Sequence, residues 1–413
     1  MRERTLPSRE AQAVGWPEED GDEWAARLER ADFVGQRWAM PEPSEDDDVQ
    51  AQAWLAGIDP AAYVGARHHT VPRFLLARWA DQAGQVRVFH RVEGRHGIEN
   101  VRDLAVRDFY TVIDKDGMKN SSVESLLGHI EGRAKRHIDA ILSPFARPAP
   151  LGADAVVDLA QFAAFQSTRT ARHRREIELH AEWFAKTMVS GRVPDEELRA
   201  ITVAPHQNEG IQFSAHAARS LMPYFACRPL AVVHLGAPLL YSCDEPVVLN
   251  APAGELHTED CYLSDEDVEA RNRRRARKAK KTKGKRARLP GRIIHFSSTR
   301  PTGHGVADEI VLAISPGTAL LWGPLADEPR EFVERIHLTT SEATRFARMA
   351  NDAMCSQALD WIITRLSDAR FVTRTFPPVG PLMQVCDGTN AASSAVNETP
   401  TRLRPRRLWM PDD

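Results

Sequence analysis

The stretch His68-His69-Thr70-Val71-Pro72-Arg73-Phe74-Leu75-Leu76-Ala77-Arg78-Trp79-Ala80-Asp81 constrains the fold more than any other, because an acidic, irregular leader ends there and an ordered body begins. Pro72 biases Val71 to an extended conformation. The run behind it reads as a short helix with Phe74, Leu75, Arg78 and Trp79 on alternate faces, so its apolar side chains need partners from more than one element. His68 and His69 have two readings: local caps in a core-seeding segment, or functional groups beside Arg73.

Further along, Gln85–His90 alternates as a half-buried strand should. Phe109–Ile113 reads as a second strand, closed by the turn signal Asp114-Lys115-Asp116-Gly117. Ser121-Ser122-Val123-Glu124 is a capping box, and it opens a helix running to about Leu142. Its stripe of Val123, Leu126, Leu127, Ile130, Ala134, Ile138 and Ile141 keeps the helical period throughout. A second long helix is expected from about Asp154 to Val189, with Gln161, Gln166, Arg169 and His173 among its apolar residues. From about residue 229 the texture changes to short β-type runs at 231–234, 238–241, 247–249, 293–296, 310–313 and 319–322.

Helices followed by a block of strands imply an α+β fold, a long antiparallel helix pair beside a small mixed or antiparallel sheet. Residues 1–65 form an acidic leader with short helices near 22–39 and 48–57, since Trp16, Trp24, Trp38 and Trp54 are too many aromatics for a disordered segment. Residues 66–376 form a single body: helical over 66–228, strand-rich over 229–337, with a terminal helix at 338–366 and a charged insertion at 251–290. The Pro-, Ser- and Asn-rich tail at 377–413 reads as disordered.

No apolar run approaches the roughly 18–20 residues that a membrane helix needs. The N-terminus lacks the apolar centre of a secretory signal, so a cytoplasmic location is expected. The five cysteines are scattered without close spacing and read as reduced thiols. Net charge is −3, but residues 271–288 carry twelve Lys or Arg and no acid, leaving −15 for the rest of the chain. That block, with Arg273, Arg274, Arg275, Lys280 and Lys281, reads either as a solvated loop balanced by the acidic 255–269 segment or as an arm for nucleic-acid phosphates. It has no aromatics to stack bases, so base readout is not expected.

Several polar residues are candidates for chemistry. Glu124 and Glu131, seven apart, return to one helical face with Leu127 between them. A carboxylate there needs a cation, a metal or a proton, or else stays solvated. Gln166, Arg169 and His173 make a polar stripe on the second helix. Arg169 has the fork to pair with Glu124 or Glu131, or to grip a phosphoryl oxygen. Asp244, two residues before Pro246, falls at a strand end, where turn aspartates and catalytic acids both occur. A metal set of Glu124, Glu131 and Asp244 beside His69 would suit magnesium or manganese. No phosphate loop, Gly-x-Ser-x-Gly elbow or His-Glu-x-x-His pattern is present.

With these residues laid out, the chain resembles a mainly microbial family known as domain of unknown function 4238. The resemblance rests on His69, Val71, Pro72, Arg73, Phe74, Leu76 and Trp79, on Glu124 and Glu131, and on Gln166 with Arg169. It also rests on Ser242-Cys243-Asp244-Glu245-Pro246, which resembles a Ser-Asp-x-Pro element with Cys243 inserted between the Ser and the Asp or replacing the Ser. Ile314-Ser315-Pro316 and Asn351 fit two later blocks. The resemblance implies a shared fold and motif positions over about 66–366, and no activity.

Two functions compete. The leading expectation is a metal-dependent phosphodiester hydrolase, a nuclease, with His69, Arg73, Glu124, Arg169 and Asp244 at its centre and Gln166 and the basic arm on substrate. The alternative is a non-enzymatic ligand- or partner-binding protein in which the same residues form a buried ion-pair network. Converging carboxylates open to water favour the first; one-to-one Arg–carboxylate pairing favours the second.

Overall fold

Trp79 is 1 % exposed, and its indole N–H donates to the Leu240 carbonyl at 2.9 Å, tying the opening of the body to a segment 161 residues away. The computed structural model describes residues 18–40, 68–107, 109–113, 117, 119–120, 122–143, 151–189, 193–200, 203–250, 296–298, 303–330, 333–379 and 382–385. Helix α1 (Glu18–Arg37) comes first, then strand β1 (His68–His69) and the one-turn helix α2 (Arg73–Leu76). Five short strands and hairpins follow as β2 (Gln85–His90), β3 (Arg95–Asn100), β4 (Val106–Arg107), β5 (Val112–Ile113) and β6 (Lys119–Asn120). The helical part comprises α3 (Ser122–Leu142), α4 (Ala153–Thr168), α5 (Ala171–Val189), α6 (Asp195–Ala200) and α7 (Gln207–Ala226). The strand-rich part holds β7 (Leu230–His234), β8 (Ser242–Cys243), β9 (Val247–Asn250), β10 (Phe296–Ser298), β11 (Glu309–Ser315), β12 (Thr318–Trp322) and β13 (Val333–His337). Helix α8 (Thr340–Gln357), β14 (Trp361–Thr364), α9 (Arg370–Thr373) and β15 (Met383–Val385) complete it.

The class is α+β. A five-stranded mixed sheet runs in the order β13-β7-β12-β11-β9, with β13 and β7 its one parallel pair. A four-stranded antiparallel sheet runs β3-β2-β14-β8, joining strands from both ends of the body. Residues from both sheets, α2, α3, α4 and α8 share one apolar core, which takes in Val71, Leu75, Leu76, Trp79, Ile138, Leu159, Phe162, Val232, Leu312 and Ile362. Phe74 packs on its edge.

Four sequence expectations need correction. The helix expected over 154–189 is two helices, α4 and α5, broken at Arg169–Thr170. The Thr170 hydroxyl accepts from the His173 amide at 3.2 Å, the usual service of a helix-capping Thr. Helix α7 has no Ser, Thr, Asp or Asn at its start. The His206 side chain accepts from the Asn208 amide there, and Glu209 accepts from the His206 amide in return. The terminal helix ends at Gln357, and 361–364 is instead a fully buried strand of β-branched and aromatic residues. The run at 238–241 is irregular, while Arg95–Asn100 and Val333–His337 are strands with weaker apolar patterns.

Of the leader, α1 docks on the body: Val34 is buried, Trp38 donates to the Asp327 carbonyl at 2.8 Å, and Arg27 pairs with Asp308 at 2.6 Å. The expected helix at 48–57 and the charged insertion to residue 290 lie outside the described residues. In the expected tail, Met383–Val385 pairs with Phe296–Ser298 as an antiparallel ladder. Among the described residues no helix is long and apolar enough to cross a membrane.

Because Trp79 fills core space and makes a buried hydrogen bond, Trp79→Ala should cost about 3–5 kcal/mol. Urea unfolding measures this against Phe213→Ala, at a position 57 % exposed, which should move stability by less than about 0.5 kcal/mol.

Candidate functional site

The helix break at Arg169 sets the site. Ending α4 there turns the Arg169 side chain into the space between α3 and the β1–α2 corner, where it is 4 % exposed. Its Nε donates to the Thr70 carbonyl at 3.0 Å, Nη2 to the His69 carbonyl at 3.1 Å and Nη1 to Glu131 Oε1 at 2.7 Å. One turn earlier on α4, Gln166 Nε2 also donates to the Thr70 carbonyl at 3.0 Å. The Tyr110 hydroxyl donates to the Arg169 carbonyl at 2.8 Å, and the Tyr110 amide donates to His68 Nδ1 at 3.1 Å.

The backbone beneath is strained. Ala105 has φ +63°, a left-handed conformation that costs a non-glycine residue about 1 kcal/mol. Both the amide (2.9 Å) and hydroxyl (3.2 Å) of Thr70 donate to the Ala105 carbonyl. The corner is thus fixed from both sides, by Thr70 holding Ala105 and by Arg169 holding Thr70.

Electrostatics follow from burial. Glu124 shares the neighbourhood of Arg169 with Glu131. Burial, reinforced by the Glu131 charge and opposed by Arg169, pushes its carboxyl up from the ordinary 4.5 to about 7. Glu131 is the carboxylate that takes the direct Arg169 bond. Burial likewise pushes the half-buried His69 imidazole down, with the Arg73 and Arg169 charges acting the same way against Glu131. His69 Nε2 and Gln166 Oε1 are buried with no hydrogen-bond partner among the described residues. Arg73 opens α2 and is exposed.

The structure therefore brings together His69, Arg73, Glu124, Glu131, Gln166 and Arg169, and it spends Asp244 elsewhere. Asp244 is 1 % exposed and accepts from the Leu359 amide at 3.1 and 3.2 Å and from the Asp360 amide at 2.7 Å. It clamps the turn between α8 and β14; burial, then the Asp360 and Glu245 charges, hold its carboxyl well above the usual range. The expected metal set of Glu124, Glu131 and Asp244 is corrected accordingly. Among the described residues no three His, Cys, Asp or Glu side chains stand together as ligands for an ion. A cavity of about 420 Å³ at the start of α4, lined by His137, Leu151, Gly152, Ala153, Asp154 and Ala155, contains none of these groups. His173 lies beside Glu176 on α5. Arg273, Arg274, Arg275, Lys280 and Lys281 lie outside the described residues.

Sequence reasoning missed two members. Thr70 contributes through its backbone, which no side-chain pattern shows. Tyr110 sat inside an expected strand, although a buried tyrosine needs a partner for its hydroxyl. Asn351, named from the resemblance, stands apart from the site and pins the 239–241 turn, accepting from the Tyr241 amide at 2.9 Å and donating to the Leu239 carbonyl at 2.8 Å.

Residues 67–269 match the sequence model of the family described as protein of unknown function (DUF4238), the family that the signature residues resemble. The match takes in the His68 stretch, Glu124, Glu131, Gln166, Arg169 and Asp244; Ile314-Ser315-Pro316 and Asn351 lie beyond it. No curated protein and no solved structure matches the chain.

Two outcomes follow from this geometry. Arg169→Leu would strand the Glu131 carboxylate and both carbonyls, and should destabilise by about 3–5 kcal/mol in chemical denaturation. For Glu124, the folded pKa is raised, so its contribution to stability is complete below pH 4.5 and is lost as pH rises toward 7. Thermal melts of the wild type should therefore drop across that window more than those of Glu124→Gln.

Proposed function

We propose that this chain is a non-enzymatic binding protein whose signature residues form a structural ion-pair and hydrogen-bond network, and whose basic segment contacts nucleic-acid phosphates without reading sequence. One observation supports the first half above all: the Nε, Nη1 and Nη2 of Arg169 are each engaged by Thr70, Glu131 and His69. Three of its five N–H donors are thereby spent on protein acceptors inside a buried corner, which favours a structural role over a grip on phosphate. Asp244 is equally committed to two backbone amides.

The second half is supported by twelve Lys or Arg within residues 271–288 on a chain otherwise summing to −15. A body of that charge repels a polyanion, so binding would be carried by the arm and would weaken with salt, because releasing condensed counterions gains less entropy into a more concentrated solution. A second reading, hydrolysis of a phosphodiester by acid–base groups, is favoured by one specific feature, the Glu124 carboxyl near 7 beside His69.

Retention of single- and double-stranded DNA and RNA on a filter, between 50 and 200 mM salt, tests the reading. If about six phosphates are neutralised, affinity should fall by roughly a thousandfold. Replacing Arg273, Arg274, Arg275, Lys280 and Lys281 with Ser should abolish retention and leave Tm nearly unchanged, while His69→Ala should retain nucleic acid. Cleavage assays with magnesium, manganese or chelator run beside it. Cleavage lost in both Glu124→Gln and His69→Ala would replace this reading with the hydrolytic one, and absence of salt-sensitive retention would remove the nucleic-acid arm.

A further inference from the structure

His234 ends β7 and His337 ends β13, and the two are direct register partners in the parallel pair. Their rings stack with centroids 4.7 Å apart and planes 13° from parallel. We propose that this imidazole pair is a proton-sensed latch that holds the edge strand β13 on the five-stranded sheet.

The geometry selects a proton rather than a metal ion as the ligand. In stacked rings the nitrogen lone pairs lie in two parallel planes, so one ion cannot lie in both planes and be chelated. Two neutral rings stack favourably, whereas two imidazolium rings at this separation repel.

Among the described residues no carboxylate is set to offset that repulsion. The charged groups facing His234 are His337 and Arg335, both on β13, and burial with these two neighbours already pushes its imidazole below 6.5. Its partner on β12 is Thr318, which is uncharged, and the turns Leu235–Leu240 and Ser315–Gly317 that flank the pair carry no acid. The next acid after β13 is Glu342, whose Oε2 is taken by the Thr339 amide at 2.9 Å and hydroxyl at 2.7 Å.

Strand β13 is suited to respond. Among the described residues it is the edge of its sheet, with β7 as its sheet neighbour. Its other backbone ties are the Val333 amide to the Leu151 carbonyl at 3.2 Å and the Leu338 amide to the His234 carbonyl at 3.0 Å. Parallel ladders are slightly weaker per residue than antiparallel ones. For a histidine whose folded pKa is depressed, the stabilisation is complete above 6.5 and is lost as pH falls below it.

Amide hydrogen exchange of the intact chain, corrected for intrinsic rates, tests this between pH 7.5 and 5. Because protonation of the stacked pair is disfavoured in the folded state, protection over 334–338 should fall as the pH is lowered through this range. His337→Phe keeps a ring on His234 and removes the charge, and His337→Asn removes both; each should reduce the loss to under about twofold. Constant protection in the wild type, or an undiminished fall in both variants, overturns the proposal.

Discussion

Everything around the signature depends on one backbone carbonyl. The Thr70 oxygen accepts from Gln166 and from Arg169, two donors for its two lone pairs, and it is buried where water would have to be excluded to leave either unmet. Those donors sit three apart on α4, at the spacing that brings both to one face. Through Arg169 the same bond chain reaches Glu131 on α3, and through Tyr110 it reaches the segment before β5. A single corner thus sets the mutual placement of β1, α2, α3 and α4. It also accounts for the end of α4 at Thr168: Arg169 must leave the helical path to reach backward to Thr70.

Buried charge is used for geometry across this part of the chain. On α5, Arg175 pairs with Glu178 at 3.0 Å and Lys186 with Glu182 at 2.9 Å, all four side chains being 5 % exposed or less. Such pairs add little over well-packed apolar residues, yet losing one partner is costly, so they define position more than they add stability. Neutral amides serve the same end in the strand-rich part. Gln357 donates to the Leu249 carbonyl at 3.0 Å and accepts from the Leu249 amide at 3.2 Å, docking the end of α8 on β9. Without such clamps α8 would rest on its apolar face alone, which allows sliding by a turn.

How much was legible in the sequence varies by element, for identifiable reasons. The stripe of α3 was readable because its period never lapses, and β2, β9, β11 and β12 because apolar runs that short favour strands. The break in α4–α5 carried a signal that the apolar period overrode: Ser167-Thr168-Arg169-Thr170 is rich in residues that cap helices. Helix α7 was hidden by a histidine cap and by Pro223 in its last turn. Of the candidate site, the helical spacings of Glu124 with Glu131 and of Gln166 with Arg169 pointed to one shared face. Asp244 misled because a buried carboxylate at a strand end looks the same in sequence whether it faces a cleft or two amides.

The signature can then be read residue by residue as a device for shaping the main chain. The side chain of His68 holds the Tyr110 amide, and the carbonyls of His69 and Thr70 hold Arg169. The amide and hydroxyl of Thr70 hold strained Ala105. Val71 fills the core, while Pro72, at φ −57° and ψ 133°, enters α2 without an amide that would need an acceptor. Phe74, Leu75 and Trp79 then close the core over the corner. The guanidinium of Arg73 lies outside this scheme and is exposed, while the imidazole of His69 bonds the Arg102 backbone and keeps one buried nitrogen unmatched among the described residues. A corner built to hold Thr70 therefore presents those two groups together at a fixed place, beside a carboxyl poised near 7. Arg169 and Asp244, by contrast, spend their hydrogen bonds on the protein's own backbone and on Glu131, so their part in the corner is to hold its shape.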